Sequence, residues 1–476
     1  MTEPAQRAPD AKQAAPATPA EEARRLFVQA SERQRAGDRA GAMALYCELL
    51  ERAPTLVDAL NNVAVLLKGE RRIAAAIACL RRAAAYAPQS PVLHSNLGNL
   101  LWMALEFDAA MAAFRTALSL DAARPEIYHN LGLLYFSLGD FAAAVESYDR
   151  ALAISPANRT IAWDRSLALL AAGDYERGFA AYDVRFDVDD PSLGFDQKLR
   201  TVRSVKLPLW EGEDLTGKML YVYSEQGIGD TLQFARLLPL VAARGARIVF
   251  DSPPELMRLF ANFPGIAELR QIGAPMPPAD FHIPMMSLAS RLAITLANLP
   301  ATVPYIAAPA TGPVLPRPPG TRLTVGLVWA GRPRHANDHN RSLGLDELLR
   351  LCDLPGVQFY SLQKGERAAD IAALGARPLV RDMAPAISDF ADTARLVMQL
   401  DLVVTVDTAV AHLAGALGRP AFVLLAFTPD WRWMGKREDS PWYPSLRLFR
   451  QAAPREWKPV IARVRERIAR AIGVTP

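Results

Sequence analysis

The apolar positions of this chain fall into two textures. Up to about residue 187 they recur at helical spacing, in blocks that repeat every 34 residues. Asn62, Asn96 and Asn130 lie 34 apart, inside the matching stretches NNVAVLL, SNLGNLLW and HNLGLLYF. The same interval separates Ile73, Phe107, Phe141 and Tyr175. It also places Pro54, Pro88 and Pro156, with Ala122 in the remaining slot. Gly37-Asp38, Gly139-Asp140 and Gly173-Asp174 mark a turn inside the block. Each block reads as two helices joined by a tight turn, and five blocks fill about residues 21–187. From about Leu207 short β-branched runs alternate with helical stretches, which predicts parallel sheets.

A single helix pair cannot bury its apolar face alone, so the units are expected to stack into a solenoid. A helix–turn–helix period of 34 residues is the tetratricopeptide signature. The Leu, Ala, Phe and Tyr positions are its core. Asn62, Asn96 and Asn130 occupy one position of successive units and are expected to form a ladder on the inner face. A carboxamide both donates and accepts, which suits an extended peptide backbone. The alternative is a local capping or packing role, and Asp164 interrupts the column in the fourth unit. Asp187-Val188-Asp189 spells a D-x-D, but beside Asp190-Pro191 it reads as part of a solvated linker, 188–206.

Charge and cysteines narrow the picture. A net charge of +4 over 476 residues gives no reason to expect nucleic acid as a partner. Cys47, Cys79 and Cys352 are too scattered for a disulfide framework or a zinc site, which points to the cytoplasm. Residues 1–20 are Ala, Pro, Gln and charge, and read as a disordered tail with no signal peptide. No apolar run reaches the roughly 18 residues of a membrane span.

The first α/β half is expected over 207–302, with strands at 219–224, 247–250 and 281–283. A Gly-containing loop at 226–231 leads into a helix at 232–243. Prolines at 304, 309, 313, 316, 318 and 319 make 303–320 a semi-rigid linker. The second half, 321–476, opens with a strand at 323–329. Its loop 330–342 carries Arg332, Arg334, His335, His339 and Arg341. A strand at 357–362 enters Gln363-Lys364-Gly365-Glu366, and a helix follows at 389–400. DLVVTVDTAVAHLAGALGRP at 401–420 reads as a buried strand, a turn at Asp407-Thr408 and a helix opening on Ala409. Such a helix start presents free N–H groups and the positive dipole end, a ready phosphate site. Strands at 422–427 and 446–449 and a helix from Trp457 complete the chain. Two doubly wound domains leave a cleft, and ligands bind beyond the carboxyl ends of their strands.

Residues 205–470 resemble glycosyltransferases of the GT-B fold, within the heptosyltransferase-like glycosyltransferase family 9. The resemblance rests on GDTLQ at 229–233, VGLVWAGRPRHANDHNRS at 325–342, SLQKG at 361–365 and VDTAVAHLAGALGRP at 406–420. The fold it implies is an α-solenoid of tetratricopeptide repeats followed by an α/β GT-B region of two Rossmann-like domains. The first would take the acceptor and the second the nucleotide sugar, in a layout like that of O-GlcNAc transferase. By the same resemblance Gly229-Asp230 matches the family's G-D, with Asp230 the candidate base. Asp407, Thr408 and His412 match its D-T-x-x-x-H element at the nucleotide diphosphate. The basic loop after Trp329 takes the place of a phosphate-contacting loop, but is longer and richer in Arg and His than in simpler members.

An inverting transferase needs a base for the acceptor hydroxyl, positive charge or dipoles for the leaving phosphate, and aligned substrates. Asp230, between Gly229 and Thr231, is either that base or the N-cap of the helix at Thr231. For the phosphate the chain offers the Thr408 helix end, Ala409, Arg332, Arg334, Arg341 and Lys364, with Gln363 adjacent. His412 faces the phosphate or is a core histidine, and His282 is a further acceptor-side candidate. No metal and no cofactor are expected; the nucleotide sugar is a co-substrate. The implied function is metal-independent, inverting glycosyl transfer to Ser/Thr hydroxyls of a bacterial, flagellin-like protein recruited by the repeats. A catalytically inactive interaction scaffold and an enzyme for lipid or polysaccharide acceptors are the alternatives.

Overall fold

The computed structural model describes residues 18–187, 205–333 and 337–474. The tail up to residue 17, the linker 188–204, and Arg334 and His335 lie outside the described residues. The chain divides into two compact units, Met1–Leu134 and Tyr135–Pro476.

The first unit is a stack of helix pairs: Pro19–Arg35 with Arg39–Arg52, Val57–Gly69 with Ile73–Tyr86, and Pro91–Met103 with Phe107–Leu120. Its first helix begins inside the stretch expected as tail. Thr18 accepts the Glu21 N–H, and the Glu21 carboxylate accepts the Thr18 N–H at 2.8 Å, a capping box that starts the helix early. Ala42, Ala76 and Ala110, 34 apart, are fully buried where the helices meet. The turns repeat as well: Gly37, Arg71 and Leu105 all have positive φ, at 84°, 59° and 65°. Only the first is glycine, which is why only that turn stood out in the sequence.

The second unit opens with the last repeats, helices Phe141–Ile154, Arg159–Ala172 and Tyr175–Tyr182. Two parallel sheets follow. The smaller contains β1 (Met219–Tyr223), β2 (Arg247–Ser252), β3 (Ile266–Gln271) and β4 (Phe281–Pro284), in the order β3-β2-β1-β4. The larger contains β5 (Leu323–Val328), β6 (Val357–Ser361), β7 (Val380–Asp382), β8 (Leu402–Val406), β9 (Ala421–Leu425) and β10 (Leu446–Arg450), in the order β10-β9-β8-β5-β6-β7. β3 and β7 were not expected. Both are edge strands, and β3 reads IAELRQ with no fully buried residue, so neither shows an apolar run. In the larger sheet the order reverses between β5 and β8, which pair Val325 with Leu402 through Val328 with Thr405. The basic loop leaves β5 and the Asp407 turn leaves β8, so both open at this switch point.

Packing does not break at the 188–206 linker. One core runs from Trp163, Tyr175, Phe179 and Tyr182 of the repeats through Trp431 and Trp442 to Phe234 and Leu220 of the α/β region. The Trp442 indole donates to the Tyr175 hydroxyl at 2.7 Å. Arg185, fully buried, forks onto Glu225 at 2.9 and 2.7 Å and donates to Ser287 at 2.8 Å. The last repeats thus belong to the same compact body as the sheets. Each buried ring contributes roughly 1.5–3 kcal/mol to that union. Among the described residues no helix is long and apolar enough to cross a membrane.

Candidate functional site

The helix Ile228–Phe234 follows β1 and the helix Ala409–Ala416 follows β8, and the two pack against each other. The first helix begins earlier than the expected 232–243, with Gly227 as its N-cap. Asp230 is therefore not an N-cap; it is the third helical residue, and its Oδ2 accepts the Gly227 N–H at 2.7 Å. Its Oδ1 lies 2.5 Å from Nη2 of Arg432, which comes from the other sheet's domain. Thr231 is buried and donates to the Ser224 hydroxyl at 3.0 Å. At Gly229 a Cβ would stand 2.8 Å from Cδ2 of His412, so the two helix starts touch at that glycine.

Thr408 is the N-cap of the second helix in extended conformation, and its side chain caps none of the helix's own N–H groups. Its hydroxyl pairs with that of Thr405 at 3.0 Å. The first turn of Ala409–Ala416 therefore keeps N–H groups without a side-chain cap beside a half-buried Asp407. Burial first, and then the negative charge of Asp430, push the Asp407 carboxyl up to about 6. The guanidiniums of Arg341 and Arg432 and the Trp433 indole pull the other way. Among the described residues of the basic loop, Arg341 is the cation whose charge acts on Asp407. It also pairs with Asp338 at 3.3 Å.

His412 is a buried histidine of the core edge. Its ring stacks on Trp433 at 5.2 Å and its Nδ1 bonds the Tyr443 hydroxyl at 3.0 Å. Burial, reinforced by Arg432, pushes it down to about 3, so it carries no charge at neutral pH. It lies between the two helices, against Gly229.

The remaining expected residues are placed elsewhere. Gln363 is buried, and its amide is occupied on both sides: Oε1 accepts from Trp329 and Ala330 N–H, Nε2 donates to Ala330 and Lys364 carbonyls. It pins the start of the basic loop. Lys364 donates to the carbonyls of Ala384 at 2.9 Å and Ile387 at 2.8 Å. Arg332 is largely exposed and lies 3.6 Å from Glu255 of the first domain. Arg334 falls outside the described residues. His282 is buried, stacked on Tyr223 and bonded through Nδ1 to its hydroxyl at 3.1 Å. In the first unit, Asn62 donates to the Tyr46 hydroxyl at 2.9 Å, Asn96 to Asn61 at 2.9 Å and Asn130 to Ser95 at 3.2 Å. Each half-buried amide is tied to the preceding helix pair.

Sequence reasoning missed Asp430, Arg432, Trp433 and Gln233. The signal was present in PDWRWM: an arginine between two tryptophans, two residues after an aspartate. Such a side chain is expected to be held by both. Among the described residues no group of three or more His, Cys, Asp or Glu is arranged to hold a metal ion.

Two parallel sheets whose helix starts meet, with an aspartate on one and an uncapped N-terminus on the other, form an α/β region consistent with a GT-B domain. Residues 358–464 match the model of glycosyltransferase family 9 (heptosyltransferase). Residues 106–139 and 125–158 match tetratricopeptide repeat models. Protein FlbA of Caulobacter vibrioides is 28% identical over 289 residues, 54% of this chain and 47% of FlbA. The match thus spans about half the length of that curated relative. Among solved structures, the MamA crystal structure aligns with 33% of this chain and 92% of its own, at 23% identity and a TM-score of 0.31. PilF of Pseudomonas aeruginosa aligns with 39% and 86%, at 20% identity and a TM-score of 0.34. The chain carries tetratricopeptide repeats and a family 9 glycosyltransferase domain.

Proposed function

We propose that the protein transfers a sugar, with inversion and without a metal, from a nucleotide sugar to Ser/Thr hydroxyls of a protein recruited by its repeats. The observation that carries this is the meeting of the two helix starts, with Asp230 on one and the Asp407-Thr408 turn on the other. The leaving diphosphate sits at the uncapped N–H groups after Thr408, with Arg341 as counter-charge. The acceptor oxygen attacks the anomeric carbon from the opposite side. The C–O bond to the diphosphate breaks, and the hydroxyl proton passes to Asp230. Each Asp230 oxygen already takes one contact, from Arg432 or Gly227, and a carboxylate oxygen keeps a second lone pair for the proton.

A scaffold without turnover is the second reading, and the observation in its favour is the ion pair that occupies Asp230. Labelled nucleotide sugars are incubated with the protein and a bacterial lysate, beside Asp230→Asn. Label in protein that disappears in the variant is expected. Label in lipid or polysaccharide would overturn the acceptor, and no transfer from any donor would leave the scaffold.

A further inference from the structure

Arg432 is only 7% exposed, hydrogen-bonded through Nε and Nη1 and ion-paired, without a hydrogen bond, through Nη2. Its Nε donates to Oε1 of Gln233 at 3.0 Å, its Nη1 to Asp430 at 2.8 Å, and its Nη2 reaches Asp230 at 2.5 Å. Gln233 and Asp230 lie on the same helix, three residues apart, so Arg432 grips that helix at two points. The guanidinium lies over the Trp431 ring, 4.4 Å from its centre. Trp431 is in turn enclosed by rings of the last repeat: Tyr175 at 6.2 Å, Phe179 at 5.8 Å and Tyr182 at 6.2 Å. Thr428 ties the start of the same loop to the Ser137 carbonyl at 2.8 Å, and Met434 at its end lies against Gly173.

We propose that Arg432 is a positioning residue for Asp230, and that the last tetratricopeptide repeat is what seats it. The inference rests on the transferase reading above for its link to turnover. A carboxylate held by the Gly227 N–H on one oxygen and Arg432 on the other cannot rotate about its last torsion without breaking a charge-assisted contact. Two oxygens are thereby fixed relative to the second helix start. The planar fork matters as much as the charge, because Gln233, Asp430 and Asp230 are met by three different nitrogens. The repeats at Tyr175–Tyr182 then act on the reaction without touching a reacting atom.

The test uses the full chain with Arg432→Gln, Arg432→Lys and Asp230→Asn. Hydrogen exchange of the peptide 226–232 is measured with transfer from UDP-, GDP-, CMP- and ADP-sugars into lysate protein. Arg432→Gln is expected to raise exchange at Gly227 and to lower kcat at least about tenfold, with donor KM within about twofold, since misplacing a catalytic group by about 1 Å costs that much or more. Arg432→Lys keeps charge without the fork and falls between; it carries the same test if the Gln variant does not fold. A kcat within about twofold of the parent, or a loss confined to KM, overturns the proposal, as does unchanged exchange at Gly227. If Asp230→Asn transfers at the parent rate, or no donor transfers at all, the transferase reading fails instead. The exchange data alone then decide whether Arg432 positions Asp230.

Discussion

Up to Leu134 the repeats bury alanine and leucine with single rings such as Tyr46 and Phe114, and keep their ion pairs in solvent. Arg33–Asp38 and Arg52–Glu22 have side chains between 38% and 57% exposed. From Tyr135 the same 34-residue interval carries Tyr175, one period after Phe141, and the ion pair Arg185–Glu225 is 0% and 1% exposed. One period therefore serves two purposes. In the first unit it repeats a surface; in the second it supplies a wall of the α/β body. The interval does not distinguish them, because it records only how helices stack. What distinguishes them is the buried ion pair at the period's end and the cluster of rings around Trp431.

The comparison is tested most severely at Glu225. Glu225→Ala takes from the buried Arg185 the carboxylate that meets two of its nitrogens, leaving only the partly exposed Asp183 as counter-charge, and is expected to destabilise the second unit by about 3 kcal/mol. The corresponding change of an exposed partner, Asp38→Ala, removes an ion pair worth no more than about 1 kcal/mol together with its helix cap, worth about as much again. Denaturant melts followed by tryptophan fluorescence check both, and equal losses would erase the distinction.

Acid separates the units next. His412, ordinarily near 6.5, is held at about 3, so the unfolded chain binds its proton first and the second unit loses stability as pH falls below 6.5. Asp407, ordinarily 3.8 and held at about 6, acts in the opposite sense: its protonation restores stability as pH falls from about 6 to about 4. The two largely offset in that window, and the loss emerges below it. Asp407→Asn is expected to expose the histidine slope, about 1.4 kcal/mol per pH unit for one proton, from pH 6.5 downward. Scanning calorimetry at stepped pH reads it; an identical pH profile in the variant would show that the two groups do not offset.

The smallest effect belongs to the ladder. Asn62, Asn96 and Asn130 changed to Ala each remove one neutral hydrogen bond between helix pairs, about 1 kcal/mol apiece, in the first unit alone. The melt of the second unit should stay in place, and pull-down of lysate protein should fall. Retained pull-down would make these amides purely structural.

Most of the fold was legible because its signals were periodic or continuous. A 34-residue interval survives irregular turns such as Arg71 and Leu105, and β8 reads as an unbroken buried run. β3 and β7, half-covered at sheet edges, left no such run. The site was legible where one motif held a strand end and a helix start together, as at Asp407-Thr408. It was illegible where partners came from distant elements. Nothing near Gln363 tells that its amide is spent on Trp329 and Ala330, and nothing near Asp230 names Arg432. Side chains that only meet in the folded state carry no local pattern.

The contact between Gly229 and His412 has a consequence for descent and for engineering. The backbone of Gly229 is not in the left-handed region; the glycine is required because the imidazole of the other domain stands where its Cβ would be. That imidazole cannot yield, since Trp433 and Tyr443 hold it. The two residues, 183 positions apart by number (412 − 229), behave as one indivisible letter. A half taken from another protein fits here only if it brings glycine opposite His412, or a smaller side chain opposite position 229.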